Sequence, residues 1–437
     1  MISRRNILMS TLFGTGYIGL RALATGLPAS FLLNPRKAFA DNPTPACGMS
    51  DKAQYIILHT SGQGDPINAS VPGTYTDSQI AHSLDPSMAP TSLTLSGRQY
   101  TAAAPWATLP QNVLDRTCFF HLMTSTPVHP KEPDVLKLMG ATAQSEMLPS
   151  ILAKQLAPCL GTLQTQPITV GATTPSEALS YSGGALPIIP ALALRATLTN
   201  PTGALTTLQP LRDQTLAQIY DLYKNGASPA QKAYIDSLVT SQSQVRGIKQ
   251  NLLDSLSSIK DNSPASQVTA ALALIQMKVT PVVAIHIPFG GDNHHDAGLA
   301  NETAQTVSGV ATIASLLSQL QTIDLADQVT FMSLNVFGRT LGPSNTDGRQ
   351  HNENHQVSIA IGKPFRGGVI GGIAPFANDY GALAIDSKSG AGGPGGDIAA
   401  PNSLAAFGKT MLAAVGTDAP VISSMISAGT VITAALS

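Results

Sequence analysis

Two short segments of the sequence concentrate side chains that bind metal ions. Residues 290–296 read Gly-Gly-Asp-Asn-His-His-Asp, and residues 347–355 read Asp-Gly-Arg-Gln-His-Asn-Glu-Asn-His. The candidate ligands within them are Asp292, His294, His295 and His351. Imidazole together with carboxylate suits Zn²⁺, whereas a larger share of carboxylate suits Mn²⁺ or Ca²⁺. The two segments therefore predict a divalent metal site; the alternative is solvated loops with one or two structural histidines.

Each segment follows an apolar run that reads as a buried strand. These runs are residues 279–287 and 329–336, and a helix of about twenty residues is predicted between them from Asn301. Further strands are predicted at 54–60, 117–123 and 357–361. The alternation predicts an α/β fold with a mostly parallel central sheet flanked by helices. Because ligand sites of such sheets lie beyond the carboxyl ends of strands spaced about 4.8 Å apart, the two segments can converge on one ion.

The remaining chain is predicted to complete a single domain over residues 41–437. Residues 205–278 read as a helix-rich insertion, in which Ser263 and Pro264 form the cap and first turn of a new helix. Residues 390–395 match G-x-G-x-x-G only formally, since no strand precedes them and Pro394 interrupts them. No G-x-S-x-G motif occurs, which argues against a serine esterase.

The first forty residues predict export. Arg4 and Arg5 precede a weakly apolar stretch that ends in Ala38-Phe39-Ala40, which is typical of a twin-arginine signal cleaved after Ala40. Glycines interrupt this stretch, so a transmembrane anchor is the weaker alternative, and no span is expected in the mature protein. The expected partner is the twin-arginine export machinery, and the expected location is periplasmic or secreted.

Composition argues against nucleic-acid binding. The 437 residues include 25 Lys and Arg against 26 Asp and Glu, and removing residues 1–40 takes away five basic and no acidic residues, leaving 20 against 26, or a net charge of −6. An acidic chain has no general attraction to phosphate backbones. Of the three cysteines, Cys118 reads as a small buried hydrophobe, and whether any two of the three pair is left open.

An arginine lies between the two metal-binding segments, in the sequence Val336-Phe337-Gly338-Arg339-Thr340. An arginine at a strand end, next to a glycine that lets the backbone approach, suits bidentate contact with phosphate or sulfate. An ordinary ion pair with Asp292 or Asp347 is an equally supported interpretation of Arg339.

The order of these motifs resembles a known family. The motifs are Ser61–Asp65, Val71-Pro72, Gly291–His294, Phe337–Thr340, Gly348–His351 and Gly367–Gly372. With the export signal, this order resembles the large family of twin-arginine-exported bacterial proteins known mainly as a domain of unknown function and related to sulfatases and alkaline phosphatases. The resemblance covers nearly all of the mature chain. It implies an alkaline-phosphatase-like α/β core with a one- or two-metal site.

The resemblance also implies roles for particular residues. The implied metal ligands are Asp65, Asp292, His294 and His351. The implied hydroxyl nucleophile comes from the loop with Thr124, Ser125 and Thr126, with His129 nearby. Arg339 and the metal would stabilise charge on a transferred phosphoryl or sulfuryl group. The expected function is an exported, metal-dependent hydrolase of small anionic phosphate or sulfate esters.

Two departures from the family pattern favour a different function. Gln350 precedes His351 where the family usually has Asp, and Val336 precedes the Phe-Gly-Arg-Thr element where an acidic residue is common. Fewer carboxylates hold a second cation less strongly. A complete two-metal site is therefore not expected. The alternative function is a non-catalytic exported protein that retains the fold for binding or envelope assembly.

Overall fold

The computed structural model describes residues 51–162, 164–172, 177–199, 250–342 and 347–437, with scattered positions from 214 to 232. The predicted signal peptide and most of the predicted helix-rich insertion before residue 250 lie outside these residues.

Fifteen strands occur in the described residues. They are β1 (Tyr55–Ser61), β2 (Pro90–Leu95), β3 (Arg98–Ala103), β4 (Thr117–Leu122), β5 (Ile168–Thr169), β6 (Ser180–Tyr181), β7 (Gly184–Ala185), β8 (Val282–Ile285), β9 (Val329–Asn335), β10 (Gly338–Arg339), β11 (His351–Asn352), β12 (Gln356–Ile361), β13 (Gly368–Ile370), β14 (Ile373–Phe376) and β15 (Asp379–Ala382). The α-helices of the same residues are Ala104–Ala107, Gln111–Leu114, Glu132–Leu136, Leu148–Leu160, Ala191–Thr199, Gln250–Ser257, Pro264–Gln276, Ala300–Thr322, Ser403–Ala414 and Ala419–Met425.

Seven of these strands form one sheet in the order β13-β4-β12-β9-β1-β8-β5. The pairs β1–β8, β1–β9, β5–β8 and β4–β13 are parallel. Strand β12 is antiparallel to both of its neighbours, β4 and β9. The sheet is therefore mixed but mostly parallel, and the predicted α/β class is confirmed. Because β12 runs backwards, its first residues lie at the same edge as the carboxyl ends of β1, β4, β8 and β9.

The sheet is apolar on both faces, and helices cover each face. Strands β1 and β9 are buried along their whole length. Ile57 belongs to an apolar cluster that includes the helices Pro264–Gln276 and Ala300–Thr322. Its neighbour Ile56 belongs to a second cluster, with the helices Leu148–Leu160 and Ser403–Ala414. Alternation within a continuous apolar run is expected of a strand buried between two layers.

Local capping fixes where two of the covering helices begin. The Ser263 hydroxyl accepts a hydrogen bond from the Ser266 amide at the start of helix Pro264–Gln276, as the sequence predicts. The Asp296 carboxylate accepts from the amides of Asn301 and Glu302, at 2.8 and 2.9 Å, in the first turn of helix Ala300–Thr322. A carboxylate there satisfies free amides and matches the positive end of the helix dipole.

The cysteine pairing left open by the sequence is partly resolved. Cys159 is disulfide-bonded. Cys118 is a buried free thiol whose sulfur donates to the Arg366 carbonyl at 3.0 Å, in agreement with its predicted role as a small core residue. Within the described part of the chain, no helix has both the length and the apolar character needed to cross a membrane.

Candidate metal centre

Four side chains converge at the carboxyl edge of the sheet. His129, Asp292, His294 and His351 each offer one ligand atom, and these atoms all lie within 4.8 Å of one another. His129 follows β4, Asp292 and His294 follow β8, and His351 lies in β11 just before β12. The reversed direction of β12 explains why His351 reaches the same edge as the loops that follow β4 and β8. This His/Asp cluster can hold a metal ion.

The distances between the ligand atoms are those of side chains that can share one ion. His129 Nε2 lies 3.4 Å from Asp292 Oδ2, and His294 Nε2 lies 3.1 Å from Asp292 Oδ1. His351 Nε2 lies 3.8 Å from Asp292 Oδ1 and 2.9 Å from His294 Nε2. Zn–N bonds of about 2.0–2.1 Å place neighbouring tetrahedral ligands about 3.3–3.4 Å apart. The observed separations bracket that value.

Backbone carbonyls orient two of the imidazoles for metal binding. His129 Nδ1 lies 2.8 Å from the Gly62 carbonyl oxygen, and His351 Nδ1 bonds to the Pro127 carbonyl oxygen. Since a carbonyl oxygen only accepts, Nδ1 is the donor in both rings, and Nε2 of each ring faces the cluster. Burial lowers the pKa of His351, and its hydrogen bond to Pro127 opposes this only in part. The lowered pKa favours the neutral form.

Asp292 is ionised and fixed by an arginine. Arg339 Nη2 donates to Asp292 Oδ1 at 2.7 Å. Burial alone would raise the pKa of Asp292, but the hydrogen bond and charge of Arg339, with smaller contributions from His129 and His294, lower it below its ordinary value. Its Oδ2 atom remains directed toward His129. Asp292 is 38% exposed and the three histidines are 22–32% exposed, so the cluster is open to solvent on one side.

A buried phenylalanine supports the imidazoles from beneath. The Phe337 ring centroid lies 4.2 Å from that of His351 and 4.9 Å from that of His129. Gly64 makes this packing feasible, since a Cβ atom there would lie 2.0 Å from the Phe337 ring and its φ of +67° is left-handed. Only glycine accepts both conditions without strain.

Backbone hydrogen bonds join the two ligand-bearing loops. The Arg349 amide donates to the Asn293 carbonyl at 2.9 Å, and the Asp296 amide donates to the Asp347 carbonyl at 2.8 Å. Gly348 lies between these contacts with a φ of +129°, and a Cβ atom there would lie 2.3 Å from the His294 carbonyl oxygen. The close approach fixes His294 relative to His351.

A buried ion pair lies beneath these loops. Arg349 binds the Glu302 carboxylate through Nε at 2.7 Å and Nη2 at 3.1 Å, and both side chains are almost fully buried. The Asn293 side chain donates to the same carboxylate at 3.2 Å. The pair therefore links helix Ala300–Thr322 to both loops.

Asp65, a predicted ligand, is not part of the cluster. Its Oδ1 atom accepts hydrogen bonds from the amides of Phe289 and Gly291, at 3.0 and 2.8 Å. Its own amide and carbonyl bond to the Asn335 side chain. Asp65 thus fixes the loop that carries Asp292; it lies outside the four-residue cluster, and its role as a ligand stays a prediction.

His295 is also outside the cluster. Its side chain is exposed, whereas the adjacent His294 turns inward toward His351. Of this histidine pair, only His294 belongs to the cluster in the described residues, and the role of His295 as a ligand stays a prediction.

Arg339 does not face an open substrate site. Its guanidinium donates to Asp292 and to the backbone carbonyls of Gln63, Gly64, Gly291 and Arg349. The side chain is fully buried. Of the two predicted interactions, the ion pair with Asp292 is present, and contact with a substrate anion stays a prediction.

The predicted nucleophiles, Thr124 and Ser125, lie in the loop between β4 and His129. Thr124 is buried, and its hydroxyl has no hydrogen-bond partner within the described residues. Ser125 is exposed, has a φ of +58°, and donates its amide to the Glu353 carbonyl. Sequence reasoning placed His129 beside this loop but not among the ligands. The only available signal was its position after a strand that ends at the same edge.

Comparison with known proteins assigns the chain to no family. No protein-family profile matches the chain, and no curated protein matches it. The geometry of the His/Asp cluster is therefore what the functional conclusion depends on.

Proposed function

We propose that the protein binds one divalent transition-metal ion, with Zn²⁺ the best fit, through His129, Asp292, His294 and His351. The convergence of these four ligand atoms is the observation that carries the proposal. Three imidazoles and one carboxylate suit Zn²⁺, whereas Ca²⁺ takes six to eight oxygen ligands. Within the described residues, no second group of three or more His, Cys, Asp or Glu side chains lies close enough together to hold another ion.

We further propose that the protein is an exported hydrolase of small phosphate or sulfate esters. When bound, the ion would supply Lewis acidity to an ester oxygen. Thr124 and Ser125 are the candidate nucleophiles, since their loop also carries His129. Gly62, Pro127 and Phe337 hold the imidazoles in place, and Arg339 keeps Asp292 charged. The mostly parallel sheet and the position of the site at its carboxyl edge support the resemblance to the alkaline phosphatase core.

One observation favours the alternative of a non-catalytic exported metal-binding protein. Both arginines near the cluster, Arg339 and Arg349, are fully buried and bonded to protein acceptors. Neither guanidinium is free to neutralise a substrate anion. In that case the metal would hold a loop arrangement for binding or envelope assembly and would not promote ester cleavage.

Metal analysis with an ester assay distinguishes the two functions. The mature protein is purified, loaded with Zn²⁺ and assayed for bound metal and for turnover of nitrophenyl phosphate and nitrophenyl sulfate. The hydrolase function is supported if the protein binds one ion, if chelation stops turnover, and if Asp292→Asn loses both the ion and the turnover. One bound ion without turnover supports the non-catalytic alternative. No bound metal rejects the metal centre and both functions built on it.

A further inference from the structure

His121 and His355 form a pair of histidines that takes no part in the metal centre. His121 is in β4, and His355 immediately precedes β12. Both are fully buried, and their rings stack with centroids 5.1 Å apart and planes 11° apart. His121 Nδ1 lies 2.9 Å from His355 Nε2.

The hydrogen-bond partners fix where the protons are in this pair. His121 Nε2 lies 2.9 Å from the Pro72 carbonyl oxygen, which only accepts, so Nε2 carries the proton. A neutral His121 then accepts at Nδ1 from Nε2–H of His355. This leaves His355 Nδ1 to accept from the Asn68 amide at 3.3 Å. Burial lowers the pKa of His121 to about 4 and that of His355 well below its ordinary value, which agrees with two neutral rings.

Asn68 connects this pair to the arginine that holds Asp292. Its Nδ2 atom donates to the Arg339 carbonyl at 2.8 Å, and its Oδ1 atom accepts from the Arg339 amide at 3.0 Å. Both backbone groups of Arg339 are therefore fixed by one side chain. Arg339 in turn pairs with His351 across the β10–β11 ladder.

The backbone at Gly338, the residue before Arg339, packs closely against His355 and Asn68. A Cβ atom on Gly338 would lie 2.0 Å from the His355 carbonyl oxygen and 3.0 Å from Asn68 Nδ2. A shift of His355 or Asn68 would therefore be transmitted to β10. From β10 it would reach Asp292 through the Arg339 guanidinium.

We propose that Asn68, His355 and His121 form an uncharged positioning chain that fixes Arg339 and, through it, Asp292 and His351 in their metal-binding arrangement. The proposal rests on the metal centre of the proposed function and does not depend on ester hydrolysis. The three residues are positioning residues, because none of them contacts the ion site directly. Groups hydrogen-bonded directly to metal ligands typically change metal affinity by about 10–100-fold, and these three residues act one step further from the ion.

The test compares Asn68→Ala with Ser70→Ala in the mature protein. Ser70 is also buried and hydrogen-bonded, through the Trp106 indole and the Ile67 carbonyl, but has no contact with Arg339. The readouts are the Co²⁺ dissociation constant and the visible absorption spectrum of the Co²⁺ protein. We expect Asn68→Ala to weaken Co²⁺ binding by about 10-fold, the lower end of that range, and to alter the spectrum. Ser70→Ala should leave both unchanged.

A second readout needs no metal. In ¹⁵N-edited spectra of the metal-free protein, His121 and His355 should each show a slowly exchanging Nε2–H of a neutral ring, and His355→Gln should alter the His121 signal. Unchanged Co²⁺ binding and spectrum in Asn68→Ala, or an Nδ1–H tautomer for His121, overturns the chain. Failure of the wild-type protein to bind Co²⁺ overturns the metal centre as well, which distinguishes the two failures.

Discussion

His294 and His351 lie with their Nε2 atoms 2.9 Å apart, although 57 residues separate them in the chain. His351 Nδ1 donates to the Pro127 carbonyl, so its Nε2 atom in the neutral ring is an acceptor. Two lone pairs at that distance repel each other, and the contact is stable only with a proton or a cation between them. In the metal-free protein the proton is supplied by Nε2–H of His294, and a metal ion would take its place.

The adjacent histidines His294 and His295 provide a matched test of the cluster. His294→Ala removes a ligand atom, whereas His295→Ala changes an exposed ring outside the cluster. We expect His294→Ala to weaken Zn²⁺ binding by more than the about 10–100-fold that supporting residues produce. His295→Ala should bind like the wild type. Isothermal titration of the metal-free proteins measures both, and equal losses would contradict the assignment.

Asp65 and Asp292 provide a second matched pair. In Asp65→Asn the side-chain oxygen can still accept from the amides of Phe289 and Gly291, so one equivalent of metal should remain bound. Placing a buried amide donor at the unpartnered Oδ2 position should lower the free energy of unfolding by about 1–3 kcal/mol. Asp292→Asn should lose the metal and should also lower the free energy of unfolding, because it removes the carboxylate that neutralises the buried Arg339 guanidinium. Metal analysis and denaturant titration measure these effects, and metal loss in Asp65→Asn would support Asp65 as a ligand.

Local patterns predicted the strands and the edge at which the site lies. The apolar runs of β1, β8 and β9 are long enough to identify as buried strands, and polar residues follow them directly. The direction of β12 was not predictable, because a buried strand has the same apolar pattern whichever way it runs. That direction is what brings His351 to His294.

Long-range contacts decide where Asp65 and Arg339 lie relative to the cluster, and the sequence does not show these contacts. Asp65 is bonded to amides 224 and 226 residues away, and no local pattern identifies a carboxylate that will bind backbone. The residues around Arg339 suit an anion site, but its guanidinium donates hydrogen bonds to backbone carbonyls of distant loops. The alkaline-phosphatase-like core and the export signal stay predictions.

Gly348 should be required for the metal centre. Gly348→Ala places a methyl group 2.3 Å from the His294 carbonyl at a φ of +129°, so the loop must shift. We expect weaker Zn²⁺ binding and a less stable fold. Gly393→Ala is the control, because a Cβ atom there meets nothing within 4 Å. Equal Zn²⁺ affinities for the two variants, measured by titration, would show that the loops are not fixed at Gly348.

The Arg349–Glu302 pair should matter far more to stability than a surface pair. Arg349→Met leaves the Glu302 carboxylate buried without its cation, which typically costs about 3–5 kcal/mol. The control is Arg116→Ala, which breaks the exposed pair with Asp327 and should cost less than about 1 kcal/mol. Denaturant unfolding measures both. Similar losses would mean that the buried pair does not organise the loops.

Acidification should destabilise the metal-free protein below about pH 6.5. Burial lowers the pKa of His59 to about 3, of His82 and His121 to about 4, and of His355 well below 6.5. Below their ordinary pKa of 6.5 the unfolded chain binds protons that the folded chain does not. Each histidine therefore lowers the free energy of unfolding by up to about 1.4 kcal/mol per pH unit as the pH falls toward its folded pKa.

Two carboxyls oppose this trend, Glu132 and Asp379, since burial raises the pKa of both. Burial raises the pKa of Glu132 well above 4.5, partly offset by a hydrogen bond from Thr60, so the folded protein retains a proton that the unfolded chain releases. The four histidines outweigh the opposing carboxyls. Near pH 5 we therefore expect the unfolded chain to bind about three more protons than the folded chain. Denaturant titrations with chelator between about pH 5 and 6.5 measure this slope. A free energy of unfolding that stays constant over this interval would mean that the buried histidines are charged in the fold, and the neutral His121–His355 pair would then be wrong.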